Sequence, residues 1–265
     1  MPYISVSMVK FDVRQLRYLS KEEFRCMTSL EVGMKNHEVV PSELVASIAN
    51  LRHGGCYKIL RELVRHKLIA YDHKNGIKGY HLTYSGYDYL ALRSLTHQDA
   101  IHSIGNKIGV GKESDIYIAA GEDGTQYVLK LHRLGRVCFR KVKEKRDYLK
   151  KRKSAGWLYM SRLAAEREFS FLQALHTRGY PVPEPIACNR HAIVMKLVPG
   201  YPLSHVKEIT NTAKVRFVIV VVFKNTMHRF MYSKHMYRSL IFSILAFEIC
   251  NSSRLIELHS ILNNI

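Results

Sequence analysis

The chain has 265 residues, 47% of them hydrophobic, which suffices for one or two domains with cores and excludes a wholly disordered protein. Its formal net charge of +19 predicts an anionic partner, with nucleic acid as the leading candidate. The five cysteines include no C-x-x-C pair, which argues against a disulfide scaffold or a zinc site and favours a reducing compartment. The N-terminal residues lack the pattern of a signal peptide.

Three helices are predicted first. Ser20-Lys-Glu-Glu23 has capping-box spacing and opens a helix that extends to about Gly33. Pro41-Ser42 begins a second helix, which extends to about Leu51, and residues 36–40 between the two are predicted to be a loop. Gly54-Gly55 is interpreted as a break, and Cys56–Lys67 as a third helix. The residues predicted to face inward from the second helix are Leu44, Val45 and Ile48.

A basic hairpin and a closing helix follow. Leu68–Tyr71 and Gly79–Thr83 have strand composition, with a turn at Asn75-Gly76 between them, and Ser85–Leu95 has a helical pattern. This order is that of a winged helix, whose third helix and wing can grip nucleic acid, with RNA favoured over DNA. The alternative is a winged module that binds protein, with its charges merely solvated. The RNA-binding residues predicted in this domain are Lys58, Arg61, Lys74 and Lys78.

A glycine-rich stretch occupies the centre of the chain. Two predicted strands, Ile116–Ala120 and Gln126–Leu131, come after the glycines Gly105, Gly109 and Gly111. Glycines let backbone N–H groups approach an anion, and Lys130 on the second strand can neutralise phosphate charge. The spacing is not that of a P-loop. The stretch is interpreted as a hairpin that folds over a polyphosphate, with a plain hairpin containing structural glycines as the alternative.

Positive charge is concentrated in residues 133–153, which carry eleven lysines and arginines opposed by Glu144 and Asp147 alone. Such density predicts a segment that orders only when it meets an anion, and the aromatic Phe139 and Tyr148 could stack on bases. A solvated loop is the alternative. The RNA-binding residues predicted here are Arg136, Arg140, Lys141, Lys143, Lys145 and Arg146.

A helix and a strand complete the central region. Trp157–Ala174 is predicted to be a helix carrying Glu166 and Glu168, and Glu168 suits the helix glutamate that pairs with a strand lysine in kinase-type folds. Ordinary exposed glutamates are the alternative. The proline-rich residues 181–185 predict an extended turn, and Ala192–Leu197 a strand at the back of an adenine pocket. Its exit, residues 195–198, could offer backbone hydrogen bonds to the base.

Many runs of this sequence resemble the RIO family of atypical serine/threonine protein kinases, in the branch that carries an N-terminal winged helix. The runs include L-R-H-G-G-C, G-V-G-K-E-S-D-I-Y, L-K-L-H-R-L-G-R, W-L-Y-M-S-R-L, P-V-P-E-P-I and N-R-H-A-I-V-M. They are colinear from about Leu16 to Leu203. The resemblance implies an α/β (α+β) fold in which a winged helix, residues 1–98, precedes a kinase N-lobe of twisted antiparallel sheet plus helix, residues 99–203.

The resemblance also implies a function. Members bind ATP and Mg²⁺ and act in cytoplasmic maturation of the small ribosomal subunit, so the implied partners are the pre-ribosomal small subunit and its RNA. We expect a monomer that does not bind membranes. One departure is Lys196, where an acidic residue is expected. The nucleotide-binding residues implied by the resemblance are Gly109, Gly111, Lys112, Glu113, Ser114, Lys130, Glu168, Met195 and Leu197.

The sequence beyond Leu203 departs from the family. The motifs H-G-D-x-N-x-x-N and D-F-P, which the resemblance implies for catalysis and metal binding, do not occur, and Asp147 is the last aspartate. We therefore expect the C-lobe to be missing, no catalytic or metal-binding residues, a poorly ordered or helical tail over 204–265, and no phosphoryl transfer by this chain alone. The apolar runs of that tail are too short to span a bilayer. The alternatives are a non-catalytic RNA-binding or pre-ribosome-binding module and a DNA-binding winged-helix regulator.

Overall fold

The structure is a computed structural model that describes residues 16–74, 76–135, 155–180 and 182–199. The described residues up to Leu197 belong to a single compact unit. The predictions for the basic residues Arg136–Arg146 and for the tail over 204–265 lie outside the described residues.

The N-terminal domain has the predicted winged-helix order. Its elements are α1 (Lys21–Gly33), α2 (Ser42–Ala49), α3 (His53–Arg65), β1 (Ile69–Lys74), β2 (Ile77–Leu82) and α4 (Tyr84–His97). The capping box is present, because Ser20 Oγ accepts a bond from the Glu23 N–H at 3.2 Å while the Ser20 N–H donates to Glu23 Oε2 at 2.6 Å. β1 and β2 pair antiparallel. The core includes fully buried Met27, Leu30, Leu60, Leu63 and Leu68.

Three local predictions were wrong. Gly54-Gly55 do not break the chain but lie in the first turn of α3, where the N–H groups need no intrahelical partner and glycine costs little. Ile48 is 39% exposed, because the short helix α2 buries Val45, Ala46 and Ala49 instead. Val40, predicted to lie in a loop, exchanges two backbone hydrogen bonds of 2.9 Å with Tyr80 and adds a bridge to the hairpin.

In the described residues the second domain contains a five-stranded antiparallel sheet and a long helix that packs against it. The helix is α5 (Trp157–Thr177), and the strands, in the spatial order β3-β4-β5-β7-β6, are β3 (Ser103–Val110), β4 (Ser114–Ala120), β5 (Gln126–His132), β6 (Pro185–Asn189) and β7 (Ala192–Lys196). The predicted hairpin is β4–β5, paired without interruption.

Two of these strands were not predicted. The glycine-rich residues form β3, whose irregular pairing with β4 shifts register on both sides of Lys107, so its alternation is hidden in the sequence. β6 begins at Pro185, in the stretch predicted to be an extended turn. It lies at the edge of the sheet, and proline is tolerated as the first residue of an edge strand.

Helix α4 contributes to two cores. Tyr87, Tyr89 and Leu90 pack in the core of the winged helix, whereas Ala91, Leu92 and Leu95 pack with residues of the sheet. Their partners there include Tyr117, Leu129, Leu131 and Val194. The winged helix and the sheet are therefore joined by a helix that both of them bury.

Candidate nucleotide-binding site

The centre of the candidate site is an ion pair between β5 and α5. Lys130 Nζ lies 2.6 Å from Glu168 Oε1, and His132 Nε2 lies 3.3 Å from Glu168 Oε2. Alternate residues of a strand face the same side, so Lys130 and His132 both point towards the helix. Burial alone would raise the pKa of the Glu168 carboxyl, but Lys130 and His132 more than offset this and lower the pKa from 4.5 to about 2. Glu168 is therefore held as a carboxylate.

Glu166, the other glutamate weighed for this role, has a different environment. Its Oε1 accepts a bond from Arg162 Nε at 2.7 Å, and both side chains are more than two-fifths exposed. The structure thus places Glu168 beside Lys130 and leaves Glu166 in a surface pair with Arg162, which lies one turn earlier in the helix.

Gly109, near the end of β3 and just before the turn into β4, lies on the same row of the sheet as this lysine. Gly109 pairs with Ile116, Ile116 with Lys130, and Lys130 with Ile193. Neighbouring strands are about 4.8 Å apart, so the Gly109 backbone is about 10 Å from that of Lys130. Residues 111–113 link β3 to β4, and the Gly111 N–H donates to the Ser114 carbonyl at 2.7 Å. We call residues 111–113 the glycine turn.

The other predicted residues of the turn differ in exposure. Lys112 is exposed and Glu113 is half-buried, whereas Ser114 is 7% exposed at the start of β4. The Lys112 side chain can therefore meet an anion from solvent. The Ser114 side chain faces the protein interior.

The predicted adenine-binding strand lies at the far side of the ion pair. Met195 pairs with Val128 and packs with Leu172 of α5, while Leu197 is half-buried and its N–H lies 3.5 Å from the Gln126 carbonyl. Lys196, where the resemblance implies an acidic residue, points outward with its Nζ 3.5 Å from Glu184 Oε2. Because the Lys196 side chain is on the solvent side of β7, its positive charge does not enter the apolar side on which Met195 packs.

A buried polar network next to this site was not predicted. The Arg133 guanidinium donates to Asp88 through Nη1 and Nη2 at 2.5 and 2.7 Å, and its Nε lies 3.3 Å from Asp115 Oδ2. His191 Nε2 lies 2.7 Å from Asp88 Oδ1, and its ring stacks on Tyr87 at 4.6 Å. No spacing in the sequence links these residues, because they come from α4, β4, the end of β5 and the β6–β7 turn.

Burial and charge act against each other in this network. Burial alone would raise the pKa of Asp88, but Arg133 and His191 lower it below its ordinary value. Burial lowers the pKa of His191 in spite of its bond to Asp88, so the imidazole is neutral. The network therefore places the Asp88 carboxylate and the Asp115 side chain against one guanidinium.

The predicted RNA-binding residues of the winged helix are on its surface. Lys58 and Arg61 are exposed on α3, and Lys74 and Lys78 are exposed at the tip of the hairpin. Lys74 Nζ lies 3.8 Å from Asp72 Oδ2, a weak surface pair. All four are available to a partner.

The described residues contain neither a metal-binding cluster nor a membrane-spanning helix. No group of three or more His, Cys, Asp and Glu side chains among residues 16–74, 76–135, 155–180 and 182–199 could hold a metal ion. Every helix in those ranges is too short or too polar to span a bilayer.

Two family patterns match this chain. The pattern described as "Rio2, N-terminal" matches residues 16–98, and the pattern described as "RIO domain" matches residues 115–237. The chain belongs to the RIO kinase family, in its Rio2 branch. The resemblance and the fold class of winged helix plus kinase N-lobe are thereby confirmed. The RIO-domain match continues past residue 203, where the sequence runs predicted that the resemblance ends.

Relatives agree with this assignment to the Rio2 branch. The chain is 53% identical over 207 residues to "Serine/threonine-protein kinase rio2" of Dictyostelium discoideum, covering 78% of this chain and 40% of that protein. It is 50% identical over 202 residues to the rio2 kinase of Schizosaccharomyces pombe, covering 76% of this chain and 59% of that protein. The chain thus spans about half the length of these relatives.

A solved structure resembles this one closely. The Rio2 kinase of Chaetomium thermophilum, crystallised as an "ADP/Mg2+-phosphoaspartate complex", gives a TM-score of 0.70 at 46% identity. The match covers 80% of this chain and 62% of that one. The sheet, α5 and the winged helix of this chain are therefore those of a Rio2 kinase.

Proposed function

We propose that this Rio2-family chain binds ATP between the glycine turn, the Lys130–Glu168 pair and the Met195–Leu197 strand. The observation that carries the proposal is the 2.6 Å contact between Lys130 Nζ and Glu168 Oε1 on the sheet row that begins at Gly109. A lysine held by a helix glutamate beneath a glycine-rich hairpin is the arrangement that kinases use on the phosphates of ATP. The ADP and Mg²⁺ of the Chaetomium relative support a nucleotide ligand.

Each part has a distinct task in this proposal. The Lys112 ammonium faces the phosphates, Lys130 neutralises their charge, and Glu168 holds the Lys130 side chain in position. Met195 packs behind the base, and backbone groups at Leu197 bond its edge. Mg²⁺, when bound, would neutralise further phosphate charge.

We further propose that this polypeptide by itself does not transfer the phosphate. Phosphoryl transfer needs carboxylates that hold Mg²⁺ and orient the nucleophile, and the sequence has no aspartate after Asp147. The function proposed for the family, ATP-dependent maturation of the small ribosomal subunit in the cytoplasm, would then require residues supplied beyond this chain. Here the protein would act as a monomer on the pre-ribosome.

Calorimetric titration with ATP and Mg²⁺ tests the nucleotide site. Lys130→Ala should abolish or greatly weaken binding, because the phosphate charge loses its partner. Lys35→Ala is the matched control, since Lys35 is exposed in the connection between α1 and α2. Equal affinity of both variants and the wild type would refute the site. Magnesium-dependent ATPase activity of the wild type that Lys130→Ala removes would refute the proposed inactivity.

The alternative function is a non-catalytic module that binds ribosomal RNA. It is favoured by the exposure of Lys58, Arg61, Lys74 and Lys78 on the third helix and hairpin of a chain with a net charge of +19. Phosphate contacts make affinity fall with salt, with a slope of about −0.7 per contact for single strands. Lys58→Ala/Arg61→Ala should flatten that slope, whereas Lys21→Ala/Lys35→Ala, which removes two exposed charges elsewhere, should not. If both doubles give the wild-type slope, α3 does not carry the RNA contact.

A further inference from the structure

The winged helix reaches the glycine turn through one arginine. Asp88 lies on α4 and is 2% exposed, and it binds both terminal nitrogens of Arg133, the residue directly after β5. The Arg133 backbone N–H donates in turn to the carbonyl of Glu113, in the glycine turn, at 2.5 Å. Asp88 of the winged helix is thus linked to the glycine turn by two successive contacts, both of which are made by Arg133.

The same arginine also fixes the strand that follows the turn. Arg133 Nε lies 3.3 Å from Asp115 Oδ2, and Lys107 Nζ of β3 lies 3.7 Å from Asp115 Oδ1. Asp115 is 4% exposed and comes just after the turn at the start of β4. Both strands that flank the turn are therefore tied to the Asp88–Arg133 pair.

The network also touches the residues that hold Lys130. The His132 N–H donates to the His191 carbonyl at 2.9 Å, and the His191 ring is bonded to Asp88 and stacked on Tyr87 of α4. His132 in turn lies beside Glu168. The two partners of Asp88 therefore reach both parts of the candidate site: Arg133 bonds Glu113 in the glycine turn, and His191 bonds His132 beside Glu168.

We infer that Asp88 and Arg133 are positioning residues for the nucleotide site, through which the winged helix sets the place of the glycine turn. This inference rests on the proposed nucleotide site and concerns its regulation. Breaking a buried ion pair is costly, so the Arg133 guanidinium shifts towards Asp115, its other described carboxylate partner, when Asp88 loses its charge. The guanidinium holds Asp115 at the start of β4 and the Arg133 backbone N–H holds Glu113, so a shift of Arg133 displaces the turn between them. By linkage, nucleotide bound under the turn restrains α4 in return.

A second ion pair between the same domains provides the matched control. Arg190, in the β6–β7 turn, pairs with Glu31 of α1 at 2.8 Å and also bonds the Leu90 carbonyl and Ser94 of α4. No described contact joins Glu31 to the glycine turn or to Arg133. Glu31→Gln therefore weakens the join between the domains without touching the turn.

The experiment compares Asp88→Asn with Glu31→Gln by two measurements on the full chain. In calorimetry with ATP and Mg²⁺, Asp88→Asn should bind about tenfold more weakly than wild type, within the range usual for coupled sites, and Glu31→Gln within about twofold of it. In hydrogen exchange without ligand, the amides of residues 109–115 should exchange faster in Asp88→Asn only. If Asp88→Asn does not fold, Arg133→Lys replaces it, because lysine keeps the charge but not the two-pronged geometry.

The outcomes separate this inference from the nucleotide site itself. If the wild type binds ATP and both variants bind it with equal affinity, the inference is overturned and the nucleotide site stands. If the wild type binds no ATP, the nucleotide site falls, and exchange at residues 109–115 decides the positioning role alone. Equal exchange there in Asp88→Asn and Glu31→Gln overturns it.

Discussion

Replacing Glu168 with glutamine should destabilise the protein in a way that depends on pH. The pKa of Glu168 falls from 4.5 to about 2 in the folded chain, and a shift of this size corresponds to about 3 kcal/mol in favour of the ionised form. Solvent reaches 21% of this side chain, and glutamine keeps one acceptor for Lys130, so we expect a loss of about 2 kcal/mol at pH 7.

The sign of the pH dependence follows from the direction of the shift. Because the folded pKa lies below the unfolded one, the contribution is complete above about pH 4.5 and is lost as the pH falls towards about 2. At about pH 3 less than half of it should remain. The wild type and Glu168→Gln should therefore differ in the free energy of unfolding at pH 7 and converge in acid.

Urea unfolding can be followed by the fluorescence of the single tryptophan, Trp157, which lies at the start of the same helix. Glu166→Gln is the control, because its surface pair with Arg162 should be worth less than about 1 kcal/mol. Similar unfolding free energies for both variants at pH 7 would refute the reasoning. A gap between wild type and Glu168→Gln that stays constant down to pH 3 would refute it as well.

Three further predictions concern other parts of the molecule. Gly79→Ala should lower the free energy of unfolding by about 1–3 kcal/mol, because a Cβ there would lie 2.6 Å from the Val40 carbonyl oxygen. Gly105→Ala should cost far less, since the nearest atom to a Cβ at that position is 3.7 Å away. Equal midpoints of the two variants in thermal melts would contradict this prediction. Cys26, whose pKa burial raises to about 12, should resist iodoacetamide at pH 8 until urea is added, and mass spectrometry that finds it labelled in the native protein would count against the packing. Arg190→Ala should lower the melting temperature by several degrees, since it loses its bonds to Glu31, Leu90 and Ser94 together; an unchanged melt would show that this join contributes nothing.

Local patterns predicted most elements of this fold. The capping box at Ser20, the Asn75-Gly76 hairpin signal and the alternation of Ile116–Ala120 depend on neighbours in sequence, and the structure has the corresponding helix and strands. β3 and β6 escaped prediction because register shifts and prolines disturb their alternation. The pairing of Val40 was missed because a single bridge to Tyr80 produces no alternation of apolar and polar residues in the sequence.

In the candidate site, too, some residues could be predicted from local patterns and others could not. Lys130 and Glu168 could be chosen from sequence because each sits on a strand or helix of recognisable type, and the resemblance gave their roles. The Asp88–Arg133–His191 network could not, because its members are 45 and 58 residues apart and meet only when the sheet closes on α4. His132 was missed because a histidine beside a lysine carries no signal until the helix glutamate lies against it.

The sharing of α4 between two cores bears on how this protein can be dissected. A fragment that starts at residue 99 would lose Ala91, Leu92 and Leu95 and leave an apolar hollow on the sheet, open to water or to another copy. A fragment that ends at residue 98 would carry those side chains uncovered on its surface. Recombinant fragments should therefore keep α4 together with the sheet. A chimera that takes its winged helix from a relative has to take α4 and the sheet residues that pack against it as one unit.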